Sequence, residues 1–147
     1  MSPNLIRAIP VLVYEDIPAA YDYLVRVFGL GEGRVDRDGE GHPVHAELRV
    51  GETVLYLHRV APEFRVASPA RVGVDTAGVD VLVADVDAHH AHAKAAGADI
   101  VYPPADMPYG FREYGARDLE GRLWSFMTPI TDIEPLRRAA AVDAPEE

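Results

Sequence analysis

The sequence predicts an α+β fold in which one plan, strand then helix then hairpin, is written twice, so that two similar halves surround a shared pocket. Two stretches carry this reading. His45-Ala-Glu-Leu-Arg-Val-Gly-Glu-Thr-Val-Leu-Tyr-Leu-His58 and Phe111 to Met127 each read as strand, tight turn and strand. Each also lies downstream of a strand plus a helix.

In order along the chain, Ile6 to Tyr14 is β-branched and apolar, the composition of a buried strand. Asp16-Ile-Pro-Ala supplies a cap and an early-turn proline for a helix. Ala20, Tyr21, Leu24, Val27 and Phe28 then recur at helical spacing until Gly29 and Gly31 stop the pattern. Gly33 to Gly41 is charged and glycine-rich, a short strand and a loop. A two-residue turn at Gly51-Glu52 pairs Val50 with Thr53, which sets His45 opposite His58 and Glu47 opposite Tyr56 on one face. Alternation turns Ala46, Leu48, Leu55 and Leu57 to the other face, the one a helix covers. Val60 to Gly78 carries two prolines and no sustained period, and reads as a linker.

The second half opens with Val79 to Ala84 as a strand, followed by Asp85-Val-Asp87 as the cap of an alanine-rich helix ending at Gly97. Ile100 to Tyr102 is a short strand and Pro103 to Gly110 a loop. Phe111 to Arg117 and Arg122 to Met127 form the second hairpin around Asp118-Leu-Glu-Gly121. With Asp118 paired to Gly121, Tyr114 faces Ser125 and Arg112 faces Met127, leaving Trp124 and Phe126 for the helix side. Asp132 to Ala141 reads as one short helix, and Val142 to Glu147 as a fraying end. The chain thus divides into module one at 5–60, a linker at 61–77, module two at 78–130 and a tail at 131–147, within a single domain.

At 147 residues the chain is one domain's worth, able to bury about two-thirds of its unfolded surface without a disulfide or structural metal. Cysteine is absent, which removes disulfides, thiolate metal sites and cysteine nucleophiles and suits a reducing cytoplasm. With 24 acidic and 14 basic side chains the formal charge is −10, which repels nucleic acid and anionic membranes. The N-terminal residues lack the pattern of a signal peptide, and no apolar run approaches the ~20 residues that span a bilayer. A soluble, cytoplasmic protein with neither nucleic-acid nor membrane partners is expected.

Three segments, Asp16-Ile-Pro-Ala-Ala-Tyr-Asp-Tyr-Leu-Val-Arg-Val-Phe-Gly-Leu30, His45-Ala-Glu-Leu-Arg-Val-Gly51 and Asp118-Leu-Glu-Gly-Arg-Leu-Trp-Ser-Phe126, together resemble the vicinal oxygen chelate superfamily. That superfamily holds glyoxalases, bleomycin-resistance proteins and extradiol dioxygenases, and the resemblance covers roughly residues 5 to 130. It implies paired βαβββ modules whose curled mixed sheets surround a central cavity, commonly in a homodimer. It also implies where a metal would sit, because the metal enzymes of the family place His or Glu on the first and last strand of each module. Counting back seven residues from Asp16 and from Asp85 gives Ile9 and Gly78. The centres of Leu-Tyr-Leu and Trp-Ser-Phe give Tyr56 and Ser125. None of the four is a usual ligand for a divalent metal, so neither a metal nor another cofactor is expected, and a metal-dependent reaction is disfavoured.

The candidate lining is then His45, Glu47, Tyr56 and His58 from the first hairpin, with Arg112, Tyr114 and Ser125 from the second and Tyr109 on the loop before it. Aromatic rings with a few hydrogen-bonding groups suit a planar organic ligand held by stacking. The expected function is metal-independent sequestration of an aromatic or bleomycin-like antibiotic or natural product. The alternative is a metal-free isomerase, epimerase or lyase that uses His45 and Glu47 as acid–base residues. The bland reading of His45 and His58 is that they are partly exposed strand residues making local hydrogen bonds, and a third reading of the whole is an accessory or interaction module whose pocket is vestigial. Of His89, His90 and His92 only the first and last share a helix side, so a solvated or subunit-facing surface is expected there rather than a metal cluster. Gly29-Leu-Gly-Glu-Gly33 follows a helix instead of joining strand to helix, and so is not a dinucleotide loop.

Overall fold

The computed structural model describes residues 3–130. In the first half, β1 (Val11–Tyr14), α1 (Ile17–Arg26), β2 (Gly31–Arg37), β3 (Pro43–Val50) and β4 (Thr53–Arg59) build a sheet in the order β1-β4-β3-β2. A connecting segment holds a single 3-10 turn at Pro62–Phe64 and the short helix α2 (Pro69–Val72). The second half repeats the plan with β5 (Val79–Leu82), α3 (Val86–Ala95), β6 (Asp99–Asp106), β7 (Phe111–Arg117) and β8 (Leu123–Pro129), ordered β5-β8-β7-β6. In each sheet the first strand runs parallel to the last and the remaining pairs are antiparallel. The fold is therefore α+β, two βαβββ units with open, mixed four-stranded sheets.

Local chemistry explains the first module. Asp16 Oδ1 accepts from the Ala19 N–H at 3.1 Å, capping α1. The helix ends where Gly29 turns to a φ of +73°, allowing the Leu30 N–H to reach back to the Leu24 carbonyl at 3.0 Å. Ile17, Ala20 and Leu24 are buried with Ala46, Leu48, Leu55 and Leu57 in the core. The two-residue turn sets the register as expected, with Val50 opposite Thr53, Glu47 opposite Tyr56 and His45 opposite His58.

The second module solves a different packing problem. Its alanine-rich α3, capped by Asp85 Oδ1 on the Ala88 N–H at 3.1 Å, presents little side-chain volume. Aromatic rings fill the space: Tyr114, Trp124 and Phe126 rise from the sheet, and Phe28, just beyond α1, lies 4.9 Å from Phe126 and 5.8 Å from Trp124. The two modules thereby share one continuous core, each ring contributing about 1.5–3 kcal/mol by burial.

Several elements depart from the sequence expectation. β1 begins at Val11 rather than Ile6, since Pro10 has no N–H to offer a ladder; Leu5 and Ile6 remain exposed. β6 continues through Pro103 and Pro104, where a loop was expected, because it is an edge strand whose register is irregular between Tyr102 and Ala105. The second hairpin pairs Asp118 with Arg122, not Gly121: the Asp118 N–H donates to the Arg122 carbonyl at 2.9 Å and Asp118 Oδ1 accepts from the Glu120 and Arg122 N–H groups. This one-residue shift places Tyr114 opposite Phe126, Arg112 opposite Thr128 and Gly115 opposite Ser125. The helix expected over 132–141 and the tail at 131–147 lie outside the described residues.

Polar contacts lock the seam between modules. The Glu120 carboxylate accepts from the backbone N–H groups of Glu15 at 2.7 Å and Asp16 at 3.0 Å, and from the Ser68 hydroxyl at 2.5 Å. Arg122 donates to the Val13 carbonyl at 3.0 Å. From α3, His89 Nε2 donates to the Phe28 carbonyl at 2.8 Å and His92 Nε2 to the Arg26 carbonyl at 3.1 Å. These histidines satisfy carbonyls at the end of α1 and do not form a merely solvated surface. Because Phe28 O can only accept, the His89 proton sits on Nε2 and its Nδ1 accepts from the Tyr114 hydroxyl at 2.6 Å. Burial pushes the His89 pKa below its ordinary value.

Candidate functional site

Each sheet has one face on the core and one facing away from it, and the candidate chemistry lies on the outward faces. On the first sheet, β4 presents Tyr56 and His58, β3 presents His45 and Glu47, and β2 adds Arg34 and Asp36. The His45 ring meets Tyr56 edge to face at 4.6 Å. Asp36 Oδ2 lies 3.0 Å from His45 Nδ1, which leaves Nε2 unengaged among the described contacts. That hydrogen bond, together with Arg34, holds the Asp36 carboxyl below its ordinary range. Glu47 is ion-paired with Arg34. His58 Nδ1 donates to the Arg59 carbonyl at 2.7 Å.

The second sheet carries a denser cluster. Glu113 on β7 is 7% exposed and takes a phenol on each oxygen, Tyr102 at 2.5 Å and Tyr109 at 2.6 Å. The Tyr102 hydroxyl also lies 2.9 Å from Ser125 Oγ. Both phenols are pushed up to about 12, Tyr102 by burial and then its bond to Glu113, Tyr109 first by its bond to Glu113. They are consequently protonated donors at neutral pH. The Tyr102 ring crosses the backbone at Gly115 so closely that a Cβ there would stand 2.2 Å from Cε1. Asp80 on β5 is the register neighbour of Ser125 on this face.

The structure thus brings His45, Glu47, Tyr56 and His58 together on one sheet, and Ser125 with Tyr109 on the other. Tyr114 and Arg112 are not on that outward face. Tyr114 is fully buried on the helix side, and Arg112 pairs with Asp87 of α3 at 3.1 Å and with Asp106 at 3.1 Å. Glu113, Tyr102, Gly115 and Asp36 were missed. The signal lay in a repeat: Arg37-Asp-Gly-Glu-Gly41 and Arg117-Asp-Leu-Glu-Gly121 build the same turn, each with Asp N–H to a carbonyl four residues on at 2.9 Å and Arg Nη1 to the Gly carbonyl at 3.0 Å. No hydrogen bond or ring contact among the described residues joins the two outward faces. One groove of about 310 Å³ lies between β1 and residues 65–77 with Val11 in its lining, and one of about 400 Å³ lies between the Gly51 turn and β5 with Asp80 in its lining.

The four positions at which the resemblance would place a metal have these surroundings. Tyr56 and Ser125 stand on the outward faces with Val11 and Asp80 as their register partners, and Ile9 and Gly78 fall outside the strands. Only Asp80 is a usual ligand, and among the described residues no three His, Asp or Glu side chains are grouped as a metal ion requires. The residues present do not fit a metal at this place.

Paired βαβββ modules with outward polar and aromatic sheet faces define a chain of the vicinal oxygen chelate type. A model of the Glyoxalase/Bleomycin resistance protein/Dioxygenase superfamily matches residues 8–126, and the chain belongs to that superfamily. An uncharacterized protein of Mycobacterium bovis is 30% identical over 128 residues, covering 84% of this chain and 84% of its own. Among solved structures, TioX from Micromonospora sp. ML1 is similar at 37% identity and a TM-score of 0.67, covering 86% of this chain and 98% of its own. The bleomycin-binding protein of bleomycin-producing Streptomyces verticillus, solved with copper(II)-bleomycin, is similar at 21% identity and a TM-score of 0.59, covering 89% of this chain and 100% of its own. That last likeness is one of fold. Among the described residues no helix is long and apolar enough to cross a membrane.

Proposed function

We propose that this chain binds a small planar organic molecule without a metal, and that it sequesters an aromatic or bleomycin-like antibiotic or natural product in the cytoplasm. The observation that carries the reading is the chemistry of the outward faces. They offer ring surfaces at Tyr56, Tyr102 and Tyr109 beside fixed hydrogen-bonding groups, in place of the carboxylate and imidazole cage a metal would need. The similarity to TioX and to a bleomycin-binding protein supports it. His45, Glu47, Tyr56 and His58 are the contact groups on the first sheet, with Tyr109 and Ser125 on the second. A homodimer, common among proteins of this fold, would bring the outward faces of two copies together to complete the cleft. Light scattering should give twice the mass of a single chain, and a monomer at micromolar concentration would remove the cleft.

The reading is tested by titrating the protein calorimetrically against a panel of aromatic antibiotics and recovering each ligand for mass spectrometry. Saturable binding with ligand returned unchanged is expected. A second reading has one specific observation behind it: Asp36 holds His45 Nδ1 in the manner of a carboxylate–imidazole pair, leaving Nε2 to serve as a general base in a metal-free isomerase, epimerase or lyase. A catalytic excess of altered product, abolished by His45→Ala, would establish this second reading and overturn the first.

A further inference from the structure

The second sheet holds an imbalance that its own residues do not resolve. Glu113 is nine-tenths buried, yet among the described residues it has no Lys, Arg or His partner. Among the described residues its two oxygens are met only by the neutral hydroxyls of Tyr102 and Tyr109. The nearby arginine that could have answered it, Arg112, points to the helix side and is committed to Asp87 and Asp106. Asp80, on the same outward face, adds a second carboxylate close enough for its charge to raise the Tyr109 pKa. A carboxylate removed from water without a countercharge is costly to keep.

The rings of the same cluster are placed for contact from outside. Tyr109 is 57% exposed although its hydroxyl is anchored, so a large apolar ring is held against water. Tyr102 reaches Ser125 and Glu113 by crossing bare backbone at Gly115, a route that any side chain there would block. Two aromatic faces beside two carboxylates that have no cationic partner among the described residues form a receptor for positive charge spread over a flat ring.

We propose that the Glu113, Tyr102, Tyr109 and Asp80 cluster is a subsite for the cationic or N–H-donating end of a planar aromatic ligand, and that it discriminates against aryl carboxylates. The assignment rests on the binding reading above and adds to it the charge of the ligand. A cationic ring or aryl amine stacks on the tyrosines while its N–H groups donate to Glu113 and Asp80. An anionic ring of the same shape meets two like charges there.

The test compares two probes of one shape, proflavine as the planar cation and an acridine carboxylate as the anion, by fluorescence titration of the full chain. Proflavine is expected to bind about tenfold or more tightly than the carboxylate, and more weakly as salt is raised. Glu113→Gln should remove most of that preference while leaving the acridine carboxylate unweakened. Asp80→Asn, at an exposed position, should lower proflavine affinity in the same sense without altering the melting temperature, which keeps the idea testable if Glu113→Gln folds poorly. Equal affinity for both probes, or a loss on Glu113→Gln that falls equally on both, would overturn the charge assignment and leave ring binding standing. Failure of both probes to bind at all would overturn both.

Discussion

The Tyr14 hydroxyl donates to Asp118 Oδ2 at 2.5 Å, joining the end of the first strand of one module to the last turn of the other, 104 residues away. Trp124 Nε1 donates to the same oxygen at 3.0 Å, and Asp118 Oδ1 holds the N–H groups of Glu120 and Arg122. One carboxylate therefore sets the turn and ties the modules. Asp118→Ala strands several buried donors and should destabilise the protein by about 3 kcal/mol, against about 1 kcal/mol for Tyr14→Phe. Urea unfolding of both variants measures this, and equal losses would show that the turn does not depend on Asp118.

Two tyrosines that look alike in the sequence should behave differently. Tyr56 lies on an outward face, so Tyr56→Ala should weaken ligand binding by about 1–3 kcal/mol with little change in melting. Tyr114 is buried against Phe126 and His89, so Tyr114→Ala should cost about 3–5 kcal/mol of stability. Paired calorimetry and thermal melts separate the roles, and a stable Tyr114→Ala protein with lost affinity would contradict the observed register.

His89 is held neutral in the fold, with its pKa lowered by burial, while in the unfolded chain it titrates near 6.5. Below that pH the unfolded state binds the extra proton, so this residue's contribution to stability is present above about 6.5 and falls as pH drops through the folded value. His89→Gln should flatten the fall in unfolding free energy between neutral and mildly acidic pH. An unchanged slope would show that His89 is protonated without penalty.

With Tyr56 and Ser125 at the places where the family's metal enzymes have ligands, purified protein should carry no stoichiometric Zn, Ni, Mn or Fe, and a chelator should leave its melting temperature unchanged. Elemental analysis near one metal per chain would refute this.

Much of the fold was legible because its rules are local. The Gly51-Glu52 turn dictated the pairing of His45 with His58, and with it the whole first outward face. The second face was not legible for the same reason turned round: Asp118 binds two N–H groups with one oxygen and so lengthens its turn by a residue, which hydrophobic alternation cannot foresee when both Tyr114 and Glu113 are candidates for burial. Long-range partners were further out of reach. Nothing in the spacing of His89 or Glu120 announces that each meets backbone groups of the other module.

The bare backbone at Gly115 also bears on how the outward face of the second sheet could change its character. A single methyl at this position cannot coexist with the Tyr102 ring in its present place, since the two would stand 2.2 Å apart. The ring would have to swing off the sheet, uncovering Ser125 and one oxygen of Glu113 together. A side chain at 115 thus requires a displaced ring or a smaller residue at 102, and the smallest possible mutation at 115 would convert an aromatic floor into a polar one.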